Sequence, residues 1–274
     1  MRTIVITGAS DGIGAAAAEQ LAGISARVVV VGRSPEKTRA VAERLDVEHH
    51  IADFAELDQV RELAAVLKAS CDRIDVLANN AGGMFSGPVR TTDGFERTFQ
   101  INHLAPYLLT HLLIDRLISN KAAVVNTASI AAKMYAKPDL DDLNTWEGFT
   151  ASKAYGNAKL ANILFAKGLH ERFAARGLTA VAFHPGVVAT SFASQASNGF
   201  TRIYQGLAKV VLASPAKGGA RLRHFIEGEP GVDWESGGFY GANLKPAKTY
   251  PAASDPAVIK EHWERSAAML GIDW

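Results

Sequence analysis

One cysteine, Cys71, is the whole thiol content of this chain. That excludes an internal disulfide and a metal site built from several thiolates, and its place at the end of the helical run "LAAVLKASC" gives it a structural role. The eight histidines show no His-Glu-x-x-His or comparable ligand spacing. His49 and His50 are neighbours and would face opposite sides of a strand, so no metal centre is expected. Charge of one sign is missing too: 29 basic against 28 acidic residues leave a net charge of +1. Such a surface has no field to hold a phosphate backbone, and nucleic acid is not an expected partner. No run approaches the eighteen or so consecutive apolar residues of a membrane span. The chain enters the strand-like "RTIVITG" at once, leaving no room for a signal peptide, so a cytoplasmic protein without a membrane anchor is expected. Linkers, repeats and low-complexity segments are absent as well. The 274 residues are read as one domain, 1–274, ample for a sizeable core.

What fills the chain is alternation. "TIVIT", "RVVVV", "VEHHIA", "IDVLANN", "AAVVNTA" and "LTAVAFH" read as strands, at least four of them β-branched and buried on both faces. Helical patterns lie between them at 12–23, 35–45, 56–70, 93–119 and about 150–176. "SPEK" marks one helix start, with Ser34 as N-cap and Pro35 at the first helical position. The fold class that follows is α/β: a Rossmann-type, doubly wound parallel sheet with helices on both faces and right-handed crossovers. The rhythm breaks at 130–150, "IAAKMYAKPDLDDLNTWEGFT", and again at 187–214, after "HPG". Loops at the carboxyl ends of parallel strands are where such sheets bind ligands, and both breaks fall there.

"TGASDGIG" follows the first strand and opens the first helix. Gly8, Gly12 and Gly14 leave no side chain where the chain turns tightly, nears a pyrophosphate and packs helix on strand. The helix N-terminus beyond them offers free N–H groups and partial positive charge to an anion. A glycine trio between a strand and a helix predicts a bound dinucleotide. A second pattern is "YGNAKLAN", which sets Tyr155 and Lys159 one above the other on a helix. Alone, the pair admits a plain reading, with a packed ring and an ammonium in water.

Taken in order, "TGASDGIG", "ADF", "NNAG", "FQINHLAPYLLT", "VVNTAS", "YGNAK" and "HPGVVAT" resemble the short-chain dehydrogenase/reductase family over nearly the whole length. "DDLNTW", "KLANILFAKGLHERF" and the 26 positions between Ser129 and Tyr155 are similar to its retinol-dehydrogenase-like and WW-domain-oxidoreductase-like subgroup. The membrane anchor common among retinoid enzymes is not seen. The resemblance implies an alcohol/carbonyl oxidoreductase with a cofactor half over about 1–128 and a catalytic and substrate half over about 129–274. In the loop it points to Gly8, Ser10, Asp11, Gly12, Ile13 and Gly14 as cofactor residues. Arg33 and Ser34 follow at the second strand, Asp53 and Phe54 at the third, and Asn80, Ala81 and Gly82 at the fourth. Pro185, Gly186, Val188 and Thr190 would clamp the nicotinamide, and 187–214 would act as a lid. Asn102, Ser129, Tyr155 and Lys159 become the catalytic set.

The implied chemistry gives the tyrosine–lysine pair a purpose. A free phenol titrates near pH ~10, while a proton donor works best with a pKa close to the working pH. Lowering it by about three units takes roughly 4 kcal/mol, which one or two charges a few ångströms away supply at an effective dielectric near ~20. Tyr155 would be the acid-base, Lys159 its charged neighbour and a ligand of the nicotinamide ribose. Ser129 would hold the substrate oxygen, and Asn102 a water reaching Lys159. The plain alternatives are a turn or cap role for Ser129 and a helix-interior hydrogen bond for Asn102.

At the end of the second strand Gly32 stands where NAD enzymes carry an acid, and Arg33 follows. A guanidinium there suits a 2′-phosphate, so NADP(H) is the expected cofactor with NAD(H) as the alternative. Asp11 speaks against it, and Arg33 as a solvated surface charge is the plain reading. Met84, Phe85, Met134, Tyr135, Phe192, Phe200 and Tyr204 are candidate pocket residues, suited to a lipophilic or aromatic small molecule. The rival reading is an idle dinucleotide-sensing or interaction protein on the same fold. Monomer and homo-oligomer are both left open.

Overall fold

The computed structural model describes residues 1–24, 26–187 and 213–274. Strands β1 (Arg2–Thr7), β2 (Ala26–Gly32), β3 (Glu48–Ile51), β4 (Val76–Asn79), β5 (Ala123–Thr127), β6 (Thr179–Phe183) and β7 (Phe239–Tyr240) form one sheet. Its order is β3-β2-β1-β4-β5-β6-β7, parallel throughout. The helices are α1 (Gly12–Leu21), α2 (Pro35–Leu45) and α3 (Leu57–Ser70), then a composite α4 that begins at Arg97–Phe99 and runs on through Ala105–Ser119. They are followed by α5 (Ala131–Met134), α6 (Ala151–Phe173), α7 (Pro215–Glu227) and α8 (Pro256–Leu270).

Strand residues split by parity, as a sheet covered on both faces requires. Val5, Val29, Val31, Leu77 and Val124 enter one core with α3, α4, α6 and α8. Ile4, Ile6, Val28, Val30, Val76, Val125 and Val181 enter the other with α1 and α7. Small residues decide how closely α1 and α7 approach: a Cβ on Gly219 would lie 2.8 Å from the Ala16 backbone. On the opposite face Tyr107, Phe165, Phe173, Trp263 and Trp274 pack as tilted rings, with Tyr107 edge-on to Trp263, and Tyr107 Oη donates to the Trp263 carbonyl at 2.9 Å.

The fold class is as read, with differences in detail. The helix expected over 93–119 begins at Arg97, because residues 90–96 form a β-bridge from Arg90 to Glu96 around Gly94, whose φ is +92°. Glu96 then N-caps the helix, accepting from Phe99 N–H at 2.9 Å. The loop expected over 130–150 contains the short α5. α7 and α8 were not expected, although Ser214-Pro215 and Asp255-Pro256 repeat the cap signal of Ser34-Pro35. Each cap accepts as a cap should, Ser214 Oγ from Lys217 N–H at 3.3 Å and Asp255 Oδ1 from Ala257 N–H at 2.9 Å. β7 is two residues long, too short to show a period. Cys71 is fully buried at the C-cap of α3. No helix among the described residues is long and apolar enough to cross a membrane.

Trp263 joins α8 to α4 and α6, so Trp263→Ala should cost about 3–5 kcal/mol of stability. Urea unfolding checks this; an unchanged midpoint would show the cluster to be dispensable.

Candidate active site

The sheet reverses its winding between β1 and β4, and the carboxyl ends of those strands define the crevice. Gly8 turns there at φ +65°, and a Cβ on it would sit 2.7 Å from Ala81 Cα. A Cβ on Gly14 would be 2.3 Å from the Gly8 carbonyl oxygen and 2.8 Å from Asn80 Nδ2. These two glycines serve internal contact as well as any ligand. Asn80 laces three strand ends together: Nδ2 donates to the Thr7 and Gly8 carbonyls, and Oδ1 accepts from Thr127 Oγ1. Thr7 Oγ1 accepts from the N–H groups of Asn80 and Ala81. Asp11 N-caps α1, its Oδ1 accepting from Gly12 N–H at 2.7 Å. Ser10 and Ile13 are half-buried beside it.

Gly32 has a different explanation from the one the sequence suggests. A Cβ at this position would lie 2.3 Å from Thr38 Oγ1 and 2.7 Å from Ser10 Cβ. Packing against α2 and the glycine loop therefore favours glycine here independently of any phosphate. Arg33 is exposed, and no hydrogen bond or ion pair holds it among the described residues. Ser34 Oγ is engaged as the N-cap of α2. Asp11 is partly neutralised by Lys37, whose Nζ is 3.4 Å from Oδ2. At the end of β3, Asp53 Oδ1 accepts from Ala55 N–H at 2.9 Å. The Phe54 ring is buried in the core, while its carbonyl accepts from Gln100 Nε2.

On α6, Tyr155 and Lys159 share a face as their spacing requires. Tyr155 is 9% exposed and packs on Met84 and Ala131. Lys159 does not reach water: it is 3% exposed, its Nζ donates to the Thr127 carbonyl at 3.0 Å and lies 5.7 Å from the centre of the Tyr155 ring. Burial pulls its pKa down to about 7. No carboxylate among the described residues pairs with the ammonium to offset that burial. Gly156 lets this helix touch the chain after β5, since a Cβ there would be 2.7 Å from Ala136 N. Asn157 then ties the 130–150 segment down, accepting from Lys137 N–H at 2.8 Å and donating to Thr145 Oγ1 at 2.9 Å.

Asn102 lies in a π turn, Gln100–Leu104, within α4, where Ala105 N–H donates to the Gln100 carbonyl. Pro106 has no N–H, so the Asn102 carbonyl, four residues earlier, lacks its α-helical donor. The side chain is fully occupied: Oδ1 accepts from Gly83 N–H, and Nδ2 donates to the Gly83 and Thr98 carbonyls. A Cβ on Gly82 would lie 2.3 Å from Asn102 Oδ1 and 3.0 Å from Lys159 Nζ, so only glycine lets the asparagine and the lysine come together. Ser129 follows β5, and its Oγ accepts from Ala131 N–H at 3.2 Å. The plain cap role is therefore real, yet the hydroxyl keeps its own proton to donate.

After β6, Gly186 turns at φ +90°, and Arg221 of α7 donates to the Pro185 carbonyl. Val188 and Thr190 fall outside the described residues, as do Phe192, Phe200, Tyr204 and nearly all of the expected lid. Their neighbours Val187 and Ala213 are joined backbone to backbone at 2.9 Å. Met84 and Phe85 are buried, Phe85 beneath the Arg97 guanidinium, whereas Met134 and Tyr135 are exposed. Thr127, Asn157 and Arg221 escaped the sequence reading because their roles run through backbone groups that leave no motif.

Comparison with known proteins agrees with this geometry. The family model for short chain dehydrogenase matches residues 2–199. A candidate daunorubicin C-13 ketoreductase of Streptomyces is 38% identical, covering 98% of this chain and 93% of that protein. Human retinol dehydrogenase 13 is 33% identical, covering 99% of this chain and 85% of that protein. A solved structure of an uncharacterized Mycobacterium paratuberculosis protein superposes with a TM-score of 0.79 at 30% identity, covering 100% of this chain and 94% of that one.

Burial of Lys159 yields a signed prediction. Its pKa is about 7 when folded against 10.5 as the ordinary value. Between those pH values the unfolded chain holds a proton that the folded chain lacks, so this group makes stability rise with pH. Below the window the penalty is complete, and above it the penalty vanishes. Lys159→Met should therefore stabilise the ligand-free protein most at pH 7 and below. The advantage should shrink by up to about 1.4 kcal/mol per unit as pH rises. Urea unfolding at several pH values checks it; a pH-independent difference would reject the burial argument.

Proposed function

Since the chain belongs to the short-chain dehydrogenase family, within which it is retinol-dehydrogenase-like, we propose that this oxidoreductase of alcohol and carbonyl groups is NADP(H)-dependent and acts on a lipophilic or aromatic substrate. The observation that carries the reading is the buried Tyr155–Lys159 face of α6 at the sheet's ligand-binding end. The dinucleotide, when bound, supplies or accepts the hydride. The residues suit it: the turn at Gly8, the N-terminus of α1 and an exposed arginine after β2 suit a pyrophosphate and its neighbours.

The chain's own groups then divide the work. Tyr155 Oη gives a proton to the substrate oxygen or takes one from it. Lys159, close to its charge transition, favours the phenolate when protonated and reaches the ribose hydroxyls. Ser129 donates its hydroxyl proton to the same substrate oxygen and orients it beside the phenol. The Asn102 carbonyl, deprived of a helical donor by Pro106, accepts from a water that connects Lys159 to solvent. Met84, against the Tyr155 ring, together with exposed Met134 and Tyr135 nearby in sequence, supports an apolar substrate. The relatives' names, a retinol dehydrogenase and a ketoreductase, support the CH–OH/C=O reaction. Retention of Tyr155, Lys159 and Ser129 disfavours an idle protein.

The preference for NADP(H) rests on Arg33 alone, now that Gly32 is explained by packing. With Asp11 engaged by Gly12 N–H and Lys37, its opposing charge is partly spent. A charge-assisted contact from Arg33 to a 2′-phosphate is worth about 1.5–3 kcal/mol, or roughly tenfold to a hundredfold in affinity. Arg33→Ala should remove most of that preference and leave NADH binding little changed, as calorimetry with both cofactors reads. Equal wild-type affinities for NADPH and NADH would sink the assignment. A screen of aldehydes, ketones and alcohols with either cofactor identifies the substrate. With the best of them, Tyr155→Phe should lower turnover by two or more orders of magnitude with cofactor affinity intact; surviving turnover would remove the acid-base role.

A further inference from the structure

Behind the active face a buried polar chain runs from Lys159 to the last helix. The Thr127 carbonyl accepts twice, from Lys159 Nζ at 3.0 Å and from Asn162 Nδ2 at 3.3 Å. Asn162 Oδ1 meets His103 Nδ1 at 3.4 Å, and His103 Nε2 meets Ser266 Oγ at 3.0 Å. His103, Asn162 and Ser266 are all buried. A carbonyl oxygen can only accept, so the Asn162 group facing Thr127 must be the amide N–H. Oδ1 therefore faces His103, Nδ1 carries the ring proton, and Nε2 accepts from the Ser266 hydroxyl. One neutral tautomer satisfies every member. Burial, reinforced by the nearby His262, holds the His103 pKa well below its ordinary value, so the ring stays neutral.

We propose that His103, itself oriented by Ser266 of α8, is a positioning residue for Lys159, fixing the Asn162 amide and through it the Thr127 carbonyl to which the lysine donates. The inference rests on the proposed role of Lys159 and deepens it. Without the Nδ1 proton, Asn162 is free to turn over, and the turned amide would present an acceptor beside the lysine. His103 also follows Asn102 directly in the π turn, so one residue steadies two members of the site. The groups facing His103 are His262 and Ser266 of α8, the former at 4.9 Å between ring centres, Phe99 and Tyr107 of its own helix at 5.1 and 5.6 Å, and Asn162 and Phe165 of α6. Lys159 faces Tyr155, Asn102 and the Gly82 backbone. No salt bridge to a carboxylate involves Lys159, His103 or His262 among the described residues.

The test is a titration of the ligand-free protein by NMR with 13C-labelled lysine, the Lys159 signal being identified by its loss in Lys159→Met. In His103→Phe, which keeps the aromatic packing, the Lys159 midpoint should rise by about one unit. Ser266→Ala should raise it by less. His103→Asn, whose amide N–H can replace Nδ1–H, should restore it toward wild type. An unmoved or lowered midpoint in a His103→Phe protein with native near-ultraviolet circular dichroism would overturn the proposal. If that variant does not fold, Ser266→Ala decides, and an unmoved midpoint there overturns it as well. NADPH binding to the wild-type protein is measured alongside. Its failure would count against the oxidoreductase reading, while the lysine midpoint still judges the positioning role.

Discussion

A lysine ammonium held out of water against a backbone carbonyl is the constraint around which this site is built. Lys159 donates to the Thr127 carbonyl at the carboxyl end of β5 from a position 3% exposed. Burying a charge without an ionic partner is expensive, and the chain answers by bringing the group's pKa to about 7 rather than by supplying a carboxylate. Several local features make sense only as consequences. Gly82 has no side chain because Asn102 and Lys159 occupy its place. α4 carries a π turn at Asn102, followed by Pro106, which has no N–H to offer the Asn102 carbonyl.

The same economy governs the crevice between β1 and β4. Gly8 and Gly14 meet each other and the Asn80–Ala81 turn at distances no Cβ would tolerate. Asn80 binds the carbonyls of Thr7 and Gly8 and receives the hydroxyl of Thr127. Thr127 thus links the two halves of the site: its side chain steadies the glycine turn through Asn80, and its carbonyl anchors the lysine. The glycine turn and the Tyr155–Lys159 pair, contributed by distant segments, are joined through one residue at a strand end. Strand ends are suited to this, because a parallel sheet fixes their relative positions through backbone hydrogen bonds.

Much of this was legible in the sequence, and what was not follows a pattern. The alternating strands, the two-sided core and the Tyr155–Lys159 face all rest on periodicity, which the sequence states directly. The π turn at Asn102, the π-to-α junction before Pro106 and the two-residue β7 rest on single hydrogen bonds or very short runs that produce no period. α7 and α8 carried cap signals at Ser214-Pro215 and Asp255-Pro256 but lay beyond the alternation that frames the reading. Gly32 is the instructive case. From sequence its missing carboxylate looks like a statement about a cofactor phosphate. In three dimensions Thr38 and Ser10 fill the space, so the glycine is a packing requirement first.

A side chain at position 32 would have to displace those of Thr38 and Ser10, whatever the cofactor. Discrimination between a ribose hydroxyl and a ribose phosphate then has to come from residues free to respond to charge. Arg33 is exposed and unpaired among the described residues, and Lys37 is already drawn to Asp11. A guanidinium in water interacts with a distant charge only within about a Debye length of ~8–10 Å. Its contribution is therefore contact-dependent and sensitive to salt. The buried lysine gains nothing from distance and loses nothing to screening. The two positive groups thus differ in depth: Arg33 lies at the surface, where salt screens it, and Lys159 lies in the interior.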